Sequence, residues 1–279
     1  MEKIQQALAK ARATREAVSP QAGPATPARA VAPATQAAQA SAKVQAWEAL
    51  QPLHPDMIRL QKGRVVTTTN AREAIAFDAM RTKVLQQMRA NNWRRLAITS
   101  PTAACGKSTV ALNLAFSMAR QPEIRTIVAE LDLRRPSLAQ MLGVKPEKSF
   151  AQVLDGQADF ADHTYRYGNN IAFALNAGPA RNPSELLQSA RVSERLAEIE
   201  AKYDPDLMIF DMPPMLVTDD TMAFVGKVDC VLLVAAAEAS TVKEIDNCER
   251  ELASQTNVMG VILNKCRHMG PDYGYDYYG

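Results

Sequence analysis

The chain has 279 residues, enough for one sizeable α/β domain with appendages or for two small domains. Its 32 Lys and Arg against 30 Asp and Glu leave a net charge of +2, so charge alone supplies no general attraction to nucleic acid or to a membrane surface. A hydrophobic content of 47% is ample for a buried core, whereas the longest apolar runs, such as Cys230–Ala237, fall far short of the ~20 residues needed to span a bilayer.

Residues 1–16 place Ile4, Leu8 and Ala11 on one helical face, as a short docking helix would, although a solvated, partly helical tail fits equally well. The same stretch lacks the apolar core of a secretory signal, and its Glu2 and Glu16 do not suit a transit peptide, so a cytoplasmic location is expected. Residues 17–45 hold eleven alanines and four prolines with almost no charge, a composition that predicts a linker, and the linker and lead-in are expected to run to residue 69. A folded domain is expected over 70–268, with a tail at 269–279.

Within that domain, residues 71–91 predict a helix with Ala76, Met80, Val84 and Met88 along one stripe. Short apolar runs follow at Arg95–Ser100, Thr126–Leu131, Ile171–Leu175, Leu207–Phe210, Val228–Ala235 and Val258–Leu263. Helical patterns near 107–120, 137–142, 183–202, 218–226 and 241–254 alternate with them. The alternation predicts an α/β fold, a doubly wound and mostly parallel sheet covered on both faces, with ligands at the carboxyl ends of the strands.

The run Leu96–Ser100 enters PTAACGKST and then a helix. Strand, tight loop, Gly-Lys-Ser/Thr and helix is what a nucleotide triphosphate needs: backbone N–H groups and a helix N-terminus face the phosphates, a lysine bridges them, and a hydroxyl ligates magnesium. The nucleotide-binding candidates are Ala103, Ala104, Cys105, Gly106, Lys107, Ser108 and Thr109, with ATP and Mg2+ as the expected cofactors. Pro101 stands where the strict pattern has its first glycine. Two acidic strand ends accompany the loop. VAELDLRRP offers Glu130, Asp132 and Arg134 at alternate positions, expected on one face, and LMIFDMPP offers Asp211.

The cysteines Cys105, Cys230, Cys248 and Cys266 have no metal-ligand or CxxC spacing and read as reduced thiols. Cys105, inside the loop, is either an oxidisable thiol or a small residue that fits. His54, His163 and His268 pair with no nucleophile or metal set. At the far end, Tyr273, Tyr275, Tyr277 and Tyr278 alternate with Gly and Asp, as phosphate acceptors or as a docking segment.

Taken together, SPTAACGKST, VAELDLRRPSL, MIFDMPP and the tyrosine cluster resemble the bacterial tyrosine kinases of the capsule and exopolysaccharide family, with RNPSELLQS and GVILNK in support. These kinases share their P-loop class with the partitioning ATPases. The resemblance covers about residues 70–279. It implies ATP-dependent autophosphorylation of the tail and control of polysaccharide synthesis or export. It also implies a membrane polysaccharide co-polymerase as activator, and hence a peripheral position at the inner face of the membrane. Carried over by position, Lys107, Asp132 and Asp211 are catalytic. Ser108, Asp132 and Asp211 hold the metal, Glu130 and Arg134 support them, and Tyr273, Tyr275, Tyr277 and Tyr278 accept phosphate. The family pattern has Asp at Glu130 and Gly at Ala104. Self-association in a ring is implied through an E-x-x-R-x-x-R helix, but Ile75, Asp78 and Arg81 stand there and Arg81 alone matches. A P-loop ATPase switch and a non-catalytic nucleotide-binding regulator are the alternative functions.

Overall fold

The computed structural model describes residues 33–69 and 72–266. The chain divides into two units, Met1–Ala40 and Ser41–Gly279. Helix α1 (Pro33–Glu48) occupies part of the stretch whose composition predicts a linker. Alanine loses no side-chain entropy in a helix and is its strongest former, so an alanine run without a packed core can still be helical.

Residues 41–69 also depart from the expected lead-in, because they contribute to the core. Trp47, Leu50, Leu53, Leu60 and Val65 are all buried. The Trp47 indole Nε1 donates to the Tyr203 carbonyl at 2.6 Å, and its ring meets Tyr203 edge-on. Strand β1 (Gln51–Pro52) and helix α2 (Met57–Lys62), capped by the Asp56 carboxylate, complete this segment. Its buried positions fall at irregular spacing, which leaves no periodic signal to read.

Helix α3 (Ala74–Asn91), strand β2 (Arg95–Thr99), helix α4 (Lys107–Ala119) and strand β3 (Thr126–Glu130) follow the expected order. Helices α5 (Leu138–Leu142) and α6 (Phe150–Leu154), strands β4 (Thr164–Tyr167) and β5 (Ile171–Ala174), and helices α7 (Pro183–Gln188) and α8 (Ala190–Tyr203) come next. The run 183–202 is two helices and not one, because Ser189 is extended at φ −60 and ψ 147. Strand β6 (Leu207–Asp211), helix α9 (Asp220–Val225), strand β7 (Cys230–Ala236), helix α10 (Val242–Ala253) and strand β8 (Asn257–Asn264) finish the described body.

The sheet order is β1-β4-β5-β3-β6-β2-β7-β8, parallel throughout except for the β4/β5 pair. Period-2 alternation feeds two cores. Ala97, Ala129, Met208 and Phe210 face a core shared with Leu196 and Ile199 of α8, Phe224 of α9 and Leu252 of α10. Leu96, Ile98, Val128 and Ile209 face the other, shared with Val84 and Met88 of α3 and Leu112 and Phe116 of α4. Among the described residues, no helix is long and apolar enough to cross a membrane.

The predicted stripe on α3 is covered over part of its length: Val84 and Met88 are buried, Met80 is half-buried and Ala76 is exposed. The positions of the ring pattern bind within the chain. Ser117 of α4 donates through Oγ to Asp78 at 2.6 Å, Arg81 donates to the Ser117 carbonyl at 3.0 Å, and Arg120 also pairs with Asp78. Ile75 is exposed.

Because residues 41–53 are part of the core, Trp47→Ala removes a large buried ring and leaves a cavity, at an expected cost of about 3–5 kcal/mol. Urea denaturation checks this, and a loss near zero would return the segment to linker status.

Candidate nucleotide and phosphoryl-transfer site

The three central strands set the site. Ile98 of β2 and Glu130 of β3 both lie level with Asp211 of β6, so the carboxyl ends of adjacent strands open at one height. The chain leaving β3 is pinned there, since the Leu131 and Asp132 N–H groups both donate to the Asp211 carbonyl, at 2.8 and 2.9 Å.

The loop between β2 and α4 is anchored from both sides. The Thr99 hydroxyl donates to Pro213 O at 2.7 Å, while the N–H groups of Met215 and Leu216 donate to the carbonyls of Ser100 and Pro101. On the other side, Asn264 at the end of β8 donates through Nδ2 to the Cys105 carbonyl at 2.9 Å. Gly106 has φ +94 and Ala104 has φ +62. A Cβ on Gly106 would collide with Asn264 Nδ2, so this glycine answers both a backbone and a steric demand. Helix α4 then begins at Lys107, with its free N–H groups at the loop.

Lys107 points at carboxylates. Its Nζ donates to Asp132 Oδ2 at 2.8 Å and lies 3.8 Å from Asp211 Oδ1. Burial works against the ammonium, but the negative charges of Asp211 and Asp132 outweigh it and hold Lys107 above its ordinary value. Asp211 is fully buried, and neither of its carboxylate oxygens accepts a hydrogen bond. Burial pushes its carboxyl upward, opposed by the Lys107 charge. Ser108 Oγ lies 3.5 Å from Lys107 Nζ and accepts from Ser137 Oγ at 3.3 Å. A buried carboxylate paired only loosely with Lys107, beside the Ser108 hydroxyl in the first turn of α4 and a phosphate loop, is a donor set that a hard divalent cation satisfies.

The remaining expected residues are placed differently. Strand β3 ends at Glu130, so the alternation that would align Glu130, Asp132 and Arg134 does not continue. Glu130 is buried and spends its oxygens on the N–H groups of Ser137 and Leu138, each at 2.6 Å, and of Asn176 at 3.0 Å. Burial drives its carboxyl up to about 7 even against these donors. Its longer side chain therefore supports the loop after β3 and acts on Lys107 through its charge without a direct bond. Arg134 turns to α9, where its Nε and Nη2 meet the buried Asp220 carboxylate at 2.8 and 2.9 Å. Thr109 commits its hydroxyl to Gly63 O at 3.2 Å. Ala103 and Ala104 are exposed at the loop tip, and the Cys105 thiol is buried 3.6 Å from the hydroxyls of Thr102 and Ser240. Burial raises that thiol, but the surrounding hydroxyls pull it below its ordinary value. The four tail tyrosines lie outside the described residues.

Ser137 and Asn264 lie within VAELDLRRPSL and GVILNK, but the sequence assigns neither a role. Both are small polar residues on opposite flanks of the loop, and neither has a spacing rule that marks it.

Adjacent positions make opposite predictions. An alanine held at positive φ costs about 1–2 kcal/mol, and glycine carries an extra unfolded-state entropy of about 0.5–1 kcal/mol. Ala104→Gly is therefore expected to stabilise the protein by about 0.5–1 kcal/mol. Gly106→Ala is expected to destabilise it and to weaken nucleotide binding. Paired urea melts and nucleotide titrations test both, and equal effects of the two changes would contradict the loop geometry.

Comparisons with known proteins agree with this architecture. The ParA family profile, described as a NUBPL iron-transfer P-loop NTPase, matches residues 91–278. The tyrosine-protein kinase wzc of Salmonella typhi is 31% identical over 207 residues, covering 72% of this chain and 28% of the relative. The first relatives are all spanned over about a quarter of their length. The kinase domain of the Escherichia coli tyrosine kinase ETK matches with a TM-score of 0.63 at 29% identity, covering 72% of this chain and 80% of that domain. The VpsO kinase domain matches with a TM-score of 0.61 at 28% identity, covering 70% and 96%. The chain belongs to the ParA family of P-loop NTPases and is similar, across its folded body, to bacterial tyrosine-kinase domains.

Proposed function

We propose that the chain is an ATP-dependent protein-tyrosine autokinase that phosphorylates Tyr273, Tyr275, Tyr277 and Tyr278. The observation that carries this reading is the convergence of Lys107, Ser108, Asp132 and the fully buried Asp211 on one anchored phosphate loop. The similarity to the wzc kinase and to two kinase domains supports the same reaction class.

In this reading the loop N–H groups from Ala103 to Thr109 and the start of α4 hold the phosphates of ATP. Lys107 leaves Asp132 for the phosphate oxygens. Ser108, Asp132 and Asp211 would hold Mg2+, which would neutralise phosphate charge when bound. The tyrosine Oη forms a bond to the γ-phosphorus, the bond from that phosphorus to the ADP oxygen breaks, and the phenolic proton passes to Asp132. A phenol with a pKa near ~10 is neutral before attack, so a nearby carboxylate has a proton to accept. Most of the remaining barrier is lowered by positioning and charge. By analogy with relatives of capsule and exopolysaccharide systems, the activator would be a membrane polysaccharide co-polymerase, and attachment to the membrane would run through that partner.

Phosphopeptide mass spectrometry after incubation with Mg-ATP tests the proposal. The expected result is phosphate on Tyr273–Tyr278 that is lost in Lys107→Met and reduced at least ~100-fold in Asp132→Asn, the scale of a lost general base. An unmodified tail, with inorganic phosphate released and a co-expressed membrane activator present, would make the chain an ATPase switch instead.

A further inference from the structure

Helix α3 and strand β8 enclose an open groove of about 1280 Å³. Its floor is apolar: Phe77, Met80 and Val84 come from α3, and Met259, Val261 and Leu263 from β8. Val261 and Leu263 are 44% and 60% exposed. β8 is the last strand of the sheet, so its outer edge offers unpaired backbone groups along Asn257–Asn264 among the described residues. The rim is mostly basic, with Arg64, Lys83 and Lys265 against the single carboxylate of Glu73.

The segment that follows has the matching features. Lys265 and Cys266 themselves line the groove, and the chain continues from them into residues 267–279. Gly270, Pro271 and Asp272 form a turn-forming sequence. After it, Tyr273, Tyr275 and Tyr277 recur at every second position, which puts three rings on one face of an extended chain. Asp272 and Asp276 bring negative charge toward the basic rim.

We propose that residues 273–278 dock into this groove on their own chain, adding an antiparallel strand to the open edge of β8 and laying the tyrosine rings against Phe77 and Met80. Main-chain pairing supplies affinity and the alternate side chains supply specificity, as in other strand additions. The docked state withholds the tyrosines from the phosphate loop, and it forms without nucleotide. Its test is therefore independent of the autokinase reading.

Amide hydrogen exchange on nucleotide-free protein decides the matter, comparing the full chain with a version ending at His268. The expected result is exchange of the β8 amides about tenfold faster in the shortened chain, with a thermal midpoint lower by only a few degrees. The full-length Met80→Glu variant, which places a carboxylate beneath the acidic segment, is expected to reproduce that acceleration. The triple change of Tyr273, Tyr275 and Tyr277 to Ser is expected to do the same without touching the body. Equal exchange in the full and shortened chains overturns the proposal. Protection that grows with protein concentration also overturns it, because the occupant is then a second copy.

Discussion

One lysine ammonium buried between two carboxylates governs the site. Removing each of these ions from water costs several kcal/mol, and only close pairing offsets that cost. Lys107 is placed by the first turn of α4, Asp132 by the chain pinned after β3, and Asp211 by the end of β6. They come within reach because β3, β6 and β2 are adjacent, parallel and level at their carboxyl ends. A shift of one residue in either pairing would turn Asp211 to the opposite face of the sheet. The apolar sheet thus supplies the precision and the charged groups supply the chemistry. In the proposed reaction the phosphates replace Asp132 as the partner of Lys107. The same exchange that binds nucleotide then turns Asp132 from the ammonium toward the metal and the tyrosine hydroxyl.

The departures from the family pattern have separate structural answers. Glu130 is one methylene longer than the usual aspartate, and its carboxylate reaches past the site to three backbone N–H groups. It closes the loop that carries Ser137 to Ser108. Ala104 keeps the left-handed conformation a glycine would take freely, and the anchoring of the loop by Pro213, Met215, Leu216 and Asn264 holds it there. Strain at such a position persists only when its surroundings over-determine it. Asp78 and Arg81 are drawn into contacts with α4, so they brace α3 against its neighbour helix.

Much of the fold could be read in the sequence because parallel central strands are continuous apolar runs. Arg95–Thr99, Thr126–Glu130 and Leu207–Asp211 each fall within a residue of the expected bounds. The phosphate loop was equally plain, since Gly-Lys-Ser after a strand has few other uses. Three features escaped. Residues 41–69 bury Trp47 and Leu60 from short, irregular pieces, and β4 is a four-residue strand whose TYRY pattern is half-exposed. The divergence of Glu130 and Arg134 could not be read from their alternation, because alternation orders side chains only while the strand lasts. Arg134 sits beyond the end of β3, where its direction is set by the buried Asp220 on a helix far along the chain.

The half-covered stripe on α3 shows how a sequence pattern can be correct and still incomplete. Ala76, Met80, Val84 and Met88 have the spacing of a buried face, yet the core covers Val84 and Met88 fully, Met80 in part and Ala76 not at all. The apolar surface left over lies opposite β8, the strand that also carries Asn264 to the phosphate loop. Whatever covers Met80 and Leu263 therefore rests on the element that fixes the Cys105 carbonyl beside Gly106. A single eight-residue strand faces the nucleotide loop at its carboxyl end and an open groove along its length. Since Asn264 is tied to the Cys105 carbonyl and lies close against Gly106, a displacement of β8 would be felt first by the loop between β2 and α4.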